Sequence, residues 1–241
     1  YVATFASFCA IIGAEQIKTD CAYTYMPVRI LGHHSGMSLG FYGTSHHALE
    51  DLGMMRSVAN LTVVCAADAN QLRAILRASL VHEGTIYIRL GRGRDPEVYQ
   101  NVPVDYNFGK ACKLKEGHDL TIIATGTEVA PSLEAAGRLE KNGIGVRVLD
   151  MHTIKPIDRG AILEAASETG RIMTVEEHNI IGGLGSAVAE VLVDCKRVPF
   201  LRHGVKDEFV LIGPPAGLYA HYRLDAPGIV QEAHELMEKV G

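Results

Sequence analysis

The amino-acid sequence predicts an α/β fold built as two α/β domains with mainly parallel sheets. Three observations carry that expectation. Short apolar runs alternate with helix-length amphipathic segments along all 241 residues, the order that parallel layers require. The texture breaks once, at "GRGRDPEVYQNVPVDYN" (residues 91–107), which is rich in glycine, proline and charge and has no period. A chain of this length also suffices for two domains of about 100–150 residues. The expected division is residues 1–98, a linker at 99–107, and residues 108–241.

In the first unit a strand is expected at residues 2–4 and a helix from about Ser7 to Asp20. A strand follows at 28–31, then a glycine-rich loop, then a helix opening at Ser45 or His46. "LTVVCAA" (61–67) reads as a buried strand, Asp68 or Asn70 as the cap of a helix over 71–81, and "TIYIRL" (85–90) as another strand. In the second unit the strands are "DLTIIAT", "GVRVLDM", "RIMTVEE" and "VPFLRHG". Its helices are expected near 127–142, 158–169, 184–195 and 228–240, the first stopping at "KNG" with a cation and a glycine.

Composition narrows the function classes. The chain is 47% hydrophobic and 21% charged, with net charge −5 and no long basic run, so nucleic acid is not an expected partner. No apolar run approaches the roughly 20 residues of a membrane span, and none reads as a secretory signal. Five cysteines are dispersed with no C-x-x-C pair, which fits reduced thiols and a cytoplasmic location. The sequence opens at Tyr1 without methionine, so further residues are expected upstream.

The stretch "HHSGMSLGFYGTSHH" (33–47) holds four of the eleven histidines. It falls at the carboxyl end of a strand, where open α/β sheets bind ligands, and Gly36, Gly40 and Gly43 allow sharp turns. A histidine at the start of the following helix would be held neutral and able to donate hydrogen bonds. Two other readings stand beside this one: Ser45 as a plain cap with surface histidines, and a metal site of His46 and Glu50 with His33 or His34. Phe5 and Phe8 lie three apart at a strand-to-helix junction, a spacing of core residues or of an aromatic platform. Arg89, Arg92 and Arg94 cluster where a strand ends and suit a phosphate. "EEHNIIGGLGSAVAE" (176–190) looks like a phosphate cradle but lacks G-x-G-x-x-G and a ribose-binding acid, so close helix–strand packing is the favoured reading.

Taken in order, "ATFASF", "GFYGTSHHALEDLGMMR", "YIRLGR", "TGTEV", "KPID" and "EEHNIIGGLGSAVAE" resemble the transketolase family of thiamine diphosphate enzymes. The resemblance spans nearly the whole chain. It implies that the first unit is the family's pyrimidine-binding domain, incomplete at its N-terminal end, and the second its C-terminal domain. Phe8 then matches the residue that stacks on the cofactor's aminopyrimidine, with Phe5 beside it and Ile11 where some relatives have a ring-contacting tyrosine. His46 and His34 match histidines that bond substrate oxygens and move protons, with His33 as a substitute for His34. Arg92 matches the arginine that grips a sugar phosphate. The resemblance implies transfer of a two-carbon ketol unit between sugar phosphates, and no metal held by this chain.

Two departures bear on function. Where the family motif has aspartate before the loop glycine, this chain has Tyr42, which alters hydroxyl selectivity and points to a donor or acceptor outside the standard pentose phosphates. The family's essential glutamate would fall before Tyr1, and the motif that holds magnesium and the diphosphate is absent from this sequence. The expectation is therefore a C-terminal subunit with a partner chain that bears the diphosphate-binding domain, self-associated as a dimer within a heterotetramer or larger. The alternatives are a deoxyxylulose-phosphate-synthase-like enzyme and a catalytically silent assembly protein.

Overall fold

A computed structural model of the chain describes residues 1–93, 95–100, 106–194 and 197–238. Arg94, Cys195 and residues 101–105 of the expected linker lie outside it, as do the ends expected at 195 and 240. The first sheet is built from β1 (Val2–Phe5), β2 (Arg29–His33), β3 (Thr62–Cys65) and β4 (Ile86–Arg89) in the order β1-β2-β4-β3, all parallel. The second holds β5 (Cys112–Lys115), β6 (Leu120–Ala124), β7 (Val146–Asp150), β9 (Ile172–Asn179) and β10 (Phe200–Val205) in the order β10-β9-β6-β7-β5. Only β5 runs antiparallel there. Their β-branched and aliphatic runs are buried along their full length in β3, β4, β6 and β7, as strands covered on both faces must be.

The units are not sealed off from one another. β8 (Thr153–Lys155), from the second half of the sequence, joins the first sheet antiparallel to β3, and Cys65 donates its amide to His152 O at 2.8 Å. One apolar core runs from Leu52 and Met55 through Ile123 to Leu184 and Ala187. Tyr99, at the start of the expected linker, is buried and donates to Asp150 Oδ2 at 2.7 Å. Sequence periodicity could not find β8, because three residues between two loops carry no period.

The helices are α1 (Ala14–Gln16), α2 (Asp51–Ser57), α3 (Ala69–Ser79), α4 (Val129–Glu140), α5 (Arg159–Glu168), α6 (Leu184–Leu192), α7 (Pro215–His221) and α8 (Ala226–Glu238). Asp68 caps α3 by accepting from Gln71 N, and Asp158 caps α5 by accepting from Ala161 N. Beyond α4, Gly143 takes a positive φ of 81° at the "KNG" stop. No helix among the described residues is long and apolar enough to cross a membrane.

Two expectations are corrected. The helix expected over residues 7–20 is a π-type turn (Phe8–Ile12), the short α1 and a second π-type stretch (Ile17–Ala22). The helix expected to open at Ser45 or His46 opens at Asp51. Gly43 O accepts the amides of both His46 and His47, and Ala48 pairs with Gly36 in an isolated antiparallel bridge. The bridge occupies the Ala48 carbonyl, which a helix opening at Ser45 would offer to Leu52 N. His46 therefore does not sit at a helix N-terminus.

Candidate active site

The loop after β2 draws the predicted rings together. Phe5, at the end of β1, is the hub: its ring centroid lies 4.9 Å from that of His33, 5.1 Å from His34, 5.5 Å from His46 and 5.3 Å from Phe8. Parallel pairing of β1 with β2 sets Phe5 opposite His33, so the first contact follows from sheet register. The others follow from the loop. His34 takes φ +57°, a left-handed turn uncommon for a residue with a Cβ, and His46 returns to stand 5.2 Å from Phe8. Tyr42 completes the group, 5.0 Å from His46 and 63% exposed.

These rings face outward. Phe5, Phe8, His33, His34 and His46 are all half-buried. The polar bonds within the group are His33 Nδ1 to His34 Nδ1 at 2.6 Å and Ser45 Oγ to His46 Nδ1 at 2.9 Å. Burial holds His34 below the ordinary imidazole range, and His33 and Arg92 add to that by disfavouring a further positive charge. A neutral His34 can donate or accept.

Beside the rings lies a cavity of about 420 Å³ lined by His33, His34, Arg92, Asp95 and Glu97 among others. Arg92 is exposed and spends one N–H on Ser38 O at 3.2 Å; among the described residues the rest of its guanidinium fork is open. Asp95 and Glu97 oppose an anion there, so the wall carries mixed charge. Asp68 on the same wall is committed to the amides of Gln71, Val98 and Tyr99.

Of the other sequence candidates, Arg89 and Glu50 go elsewhere. Arg89 is no phosphate ligand: it is 3% exposed, bonded through Nε to Asp51 Oδ2 at 2.8 Å and through Nη2 to Ala48 O and Glu177 O. Ile11 lies one turn beyond Phe8 and is 56% exposed. Glu50 accepts from Leu49 N at 3.1 Å, and no three acid, histidine or cysteine side chains among the described residues are gathered for a metal.

His47 separates from its three neighbours. It is buried, and burial lowers its pKa while the nearby Gly40 and Leu39 backbone opposes the shift. Sequence could not separate His46 from His47, because they are adjacent and only the turn at Gly43 sends one out and the other in.

The second glycine-rich loop binds its own chain. Glu176, fully buried, accepts from Leu184 N at 2.6 Å and Gly185 N at 2.7 Å, filling the position an external anion would take. A Cβ on Gly183 would lie 2.0 Å from Glu176 Oε2, so this glycine is required by packing. His178 accepts from Gly53 N at 3.3 Å and donates to Asn179 O at 2.6 Å. The favoured packing reading of "EEHNIIGGLG" acquires a specific cause, and the carboxylates were the missed signal.

Comparison with known proteins bears on the fold and the family. The family models "Transketolase, pyrimidine binding domain" and "Transketolase, C-terminal domain" match residues 1–96 and 109–229. One of the subunits of an apulose-4-phosphate transketolase from Phocaeicola vulgatus is 42% identical over 97% of this chain and 75% of its own length. The SqwH component of a 6-deoxy-6-sulfo-D-fructose transketolase from a Clostridium species is 39% identical, over 98% and 73%. Among solved structures, a split-gene transketolase in an inactive β4 tetramer superposes with a TM-score of 0.90 at 42% identity, covering 98% of this chain and 75% of that one. Fold, motif order and relatedness coincide over nearly the full length, and the chain belongs to the transketolase family, whose members depend on thiamine diphosphate.

Proposed function

We propose that this chain is the C-terminal subunit of a thiamine-diphosphate-dependent transketolase that moves a two-carbon ketol unit between sugar phosphates in the cytoplasm. One observation carries the reading: Phe5 stands within 5.5 Å, ring to ring, of Phe8, His33, His34 and His46, beside a cavity that holds Arg92. The residues fit the cofactor's aminopyrimidine in one respect that can be tested on this chain. Phe5 and Phe8 are half-buried at a T-shaped angle of 83°, so each keeps ring surface for a flat heterocycle. Magnesium and the diphosphate fall to a partner chain that carries the diphosphate-binding domain, with two such pairs self-associating. The relatives named as transketolase subunits support that assembly.

When bound, thiamine diphosphate supplies the carbanion chemistry. Phe8 and Phe5 hold its ring. His46 and His34 donate hydrogen bonds to substrate oxygens and carry protons, contributions worth about 10²–10⁴-fold each. Arg92 takes the phosphate with its free fork, and His33 keeps His34 in orientation through their 2.6 Å contact. Ile11, exposed beside Phe8, extends the cofactor wall. Tyr42 presents a hydroxyl next to His46 where the family motif has a carboxylate, and this favours a sugar other than xylulose 5-phosphate. The relatives named for apulose 4-phosphate and 6-deoxy-6-sulfo-D-fructose support an unusual sugar.

The test is reconstitution with an N-terminal transketolase subunit. Ketol transfer is expected only in the complex, and calorimetric titration of the chain alone should give no nanomolar thiamine diphosphate binding. Tyr42→Asp should raise kcat/KM for xylulose 5-phosphate by about tenfold, the scale of one charged hydrogen bond. Normal xylulose 5-phosphate turnover by the wild type overturns the role of Tyr42. Pyruvate consumption assigns the chain to the synthase group instead, and an inert complex makes it an assembly protein.

A further inference from the structure

The base of the histidine loop is gripped by one residue of the other α/β unit. Gly36 and Ala48 exchange both backbone hydrogen bonds, at 3.1 and 2.9 Å, so residues 37–47 leave and return through a single narrow neck. Glu177, on β9, meets both arms of that neck. Its carboxylate Oε1 accepts the Met37 amide at 2.8 Å, the first amide beyond the neck on the outgoing arm. Its carbonyl accepts Arg89 Nη2 at 2.8 Å, and the same nitrogen donates to Ala48 O at 2.9 Å on the returning arm.

Among the described residues, the other hydrogen bonds to the carboxylate come from the second unit. The Tyr219 hydroxyl donates to Oε1, and Thr127 Oγ1 donates to Oε2 at 3.0 Å. The residue is 1% exposed, and a carboxylate that deep persists only where several donors replace water. Gly36, at φ +58°, leaves the space it fills: a Cβ there would lie 1.9 Å from Glu177 Cδ. Burial raises the Glu177 pKa, while Arg89 and these donors oppose the rise.

We infer that Glu177 is a positioning residue. It fixes the neck of the histidine loop, and through the neck the placement of His46, so that the second unit helps set the geometry of a ring cluster drawn wholly from the first. Loops position reactive groups well only when their supports are locked, and a misplacement near 1 Å can remove about 10²-fold of rate. The kinetic half of this inference rests on the proposed function; the structural half does not.

Two measurements separate them: amide hydrogen exchange on the full chain, and steady-state kinetics on the complex with an N-terminal subunit. In Glu177→Ala, which leaves the main-chain bond to Arg89 in place, exchange at Met37 should accelerate about tenfold or more, while the β6 amides stay protected. In the complex, kcat should fall about 10–100-fold with KM changed less than about threefold. Glu177→Gln keeps an acceptor for Met37 and should recover kcat to within about threefold of wild type. Tyr219→Phe removes one donor outside the ring cluster and should fall between the two. Unchanged exchange at Met37 in both Glu177→Ala and Tyr219→Phe overturns the inference. So does a lowered Tm with wild-type kcat, the mark of a purely structural group. If Glu177→Ala does not fold, unchanged Met37 exchange in Tyr219→Phe overturns it alone. An inactive wild-type complex would overturn the proposed function while leaving the exchange measurement to decide on the neck.

Discussion

Two glycine-rich loops follow parallel strands in this molecule, each strand brings histidine to the start of its loop, and the polar groups there end in opposite states. After β2, three imidazoles stand half-exposed around Phe5, bonded to one another and to Ser45. At the end of β9, Glu176 and His178 are fully buried and bonded to backbone. The difference lies in what supplies the partner. Where the chain's own amides complete a polar group, that group is architecture. Where the group faces a cavity with its valence unspent, a ligand can complete it.

The largest expected effect breaks the first loop. His46→Ala removes a half-exposed ring with no backbone partner, so the reconstituted complex should lose about 10²–10⁴-fold in kcat. Unfolding stability should change by no more than about 0.5 kcal/mol, as for other outward-facing substitutions. Glu176→Ala reverses the pattern. It strands the Leu184 and Gly185 amides in the interior and should lower urea-unfolding stability by about 3 kcal/mol, with kcat per folded enzyme unchanged. If the two variants shift rate and stability alike, the contrast between the loops is wrong.

That contrast was only half legible in the sequence. Clustering of His33, His34, His46 and His47 marked the first loop, and the strand preceding it placed that loop at a sheet end. The strand runs "TVVC" and "LTIIA" and the cap Asp68 were equally plain, since local chemistry writes them. Nothing local separates buried His47 from half-exposed His46, or assigns Arg89 to Asp51 across 38 residues. Those are decided by long-range closure: the Gly36–Ala48 bridge and the docking of β9 against the loop. The helix start was misplaced for the same reason, because propensity favoured helix at Ser45 while the bridge claimed the backbone.

The smallest effect sharpens the comparison through pH. Burial is the main cause that drives the His178 pKa down to about 4; Arg89 assists, while Asp51 and nearby carbonyls oppose. Unfolded, the imidazole titrates near about 6.5. Between those values the unfolded chain binds a proton that the native chain does not. Stability is therefore complete above the unfolded pKa and is lost as pH falls toward the folded one. Down to pH 5 this amounts to about 2 kcal/mol. Glu176 acts in the opposite direction. Burial raises its carboxyl to about 7 against the Gly185 and Leu184 amides, so its contribution worsens as pH rises toward neutrality. The wild-type curve mixes the two, and His178→Gln, which keeps a donor and an acceptor, isolates the imidazole. Urea titrations at pH 7 and pH 5 should show the wild type losing about 2 kcal/mol more than the variant. His34→Gln should follow the same sign with a smaller amplitude, since His34 is lowered by burial yet remains half-exposed. Equal losses in wild type and His178→Gln would mean that the second loop admits protons as the first does, and burial would no longer be what divides them.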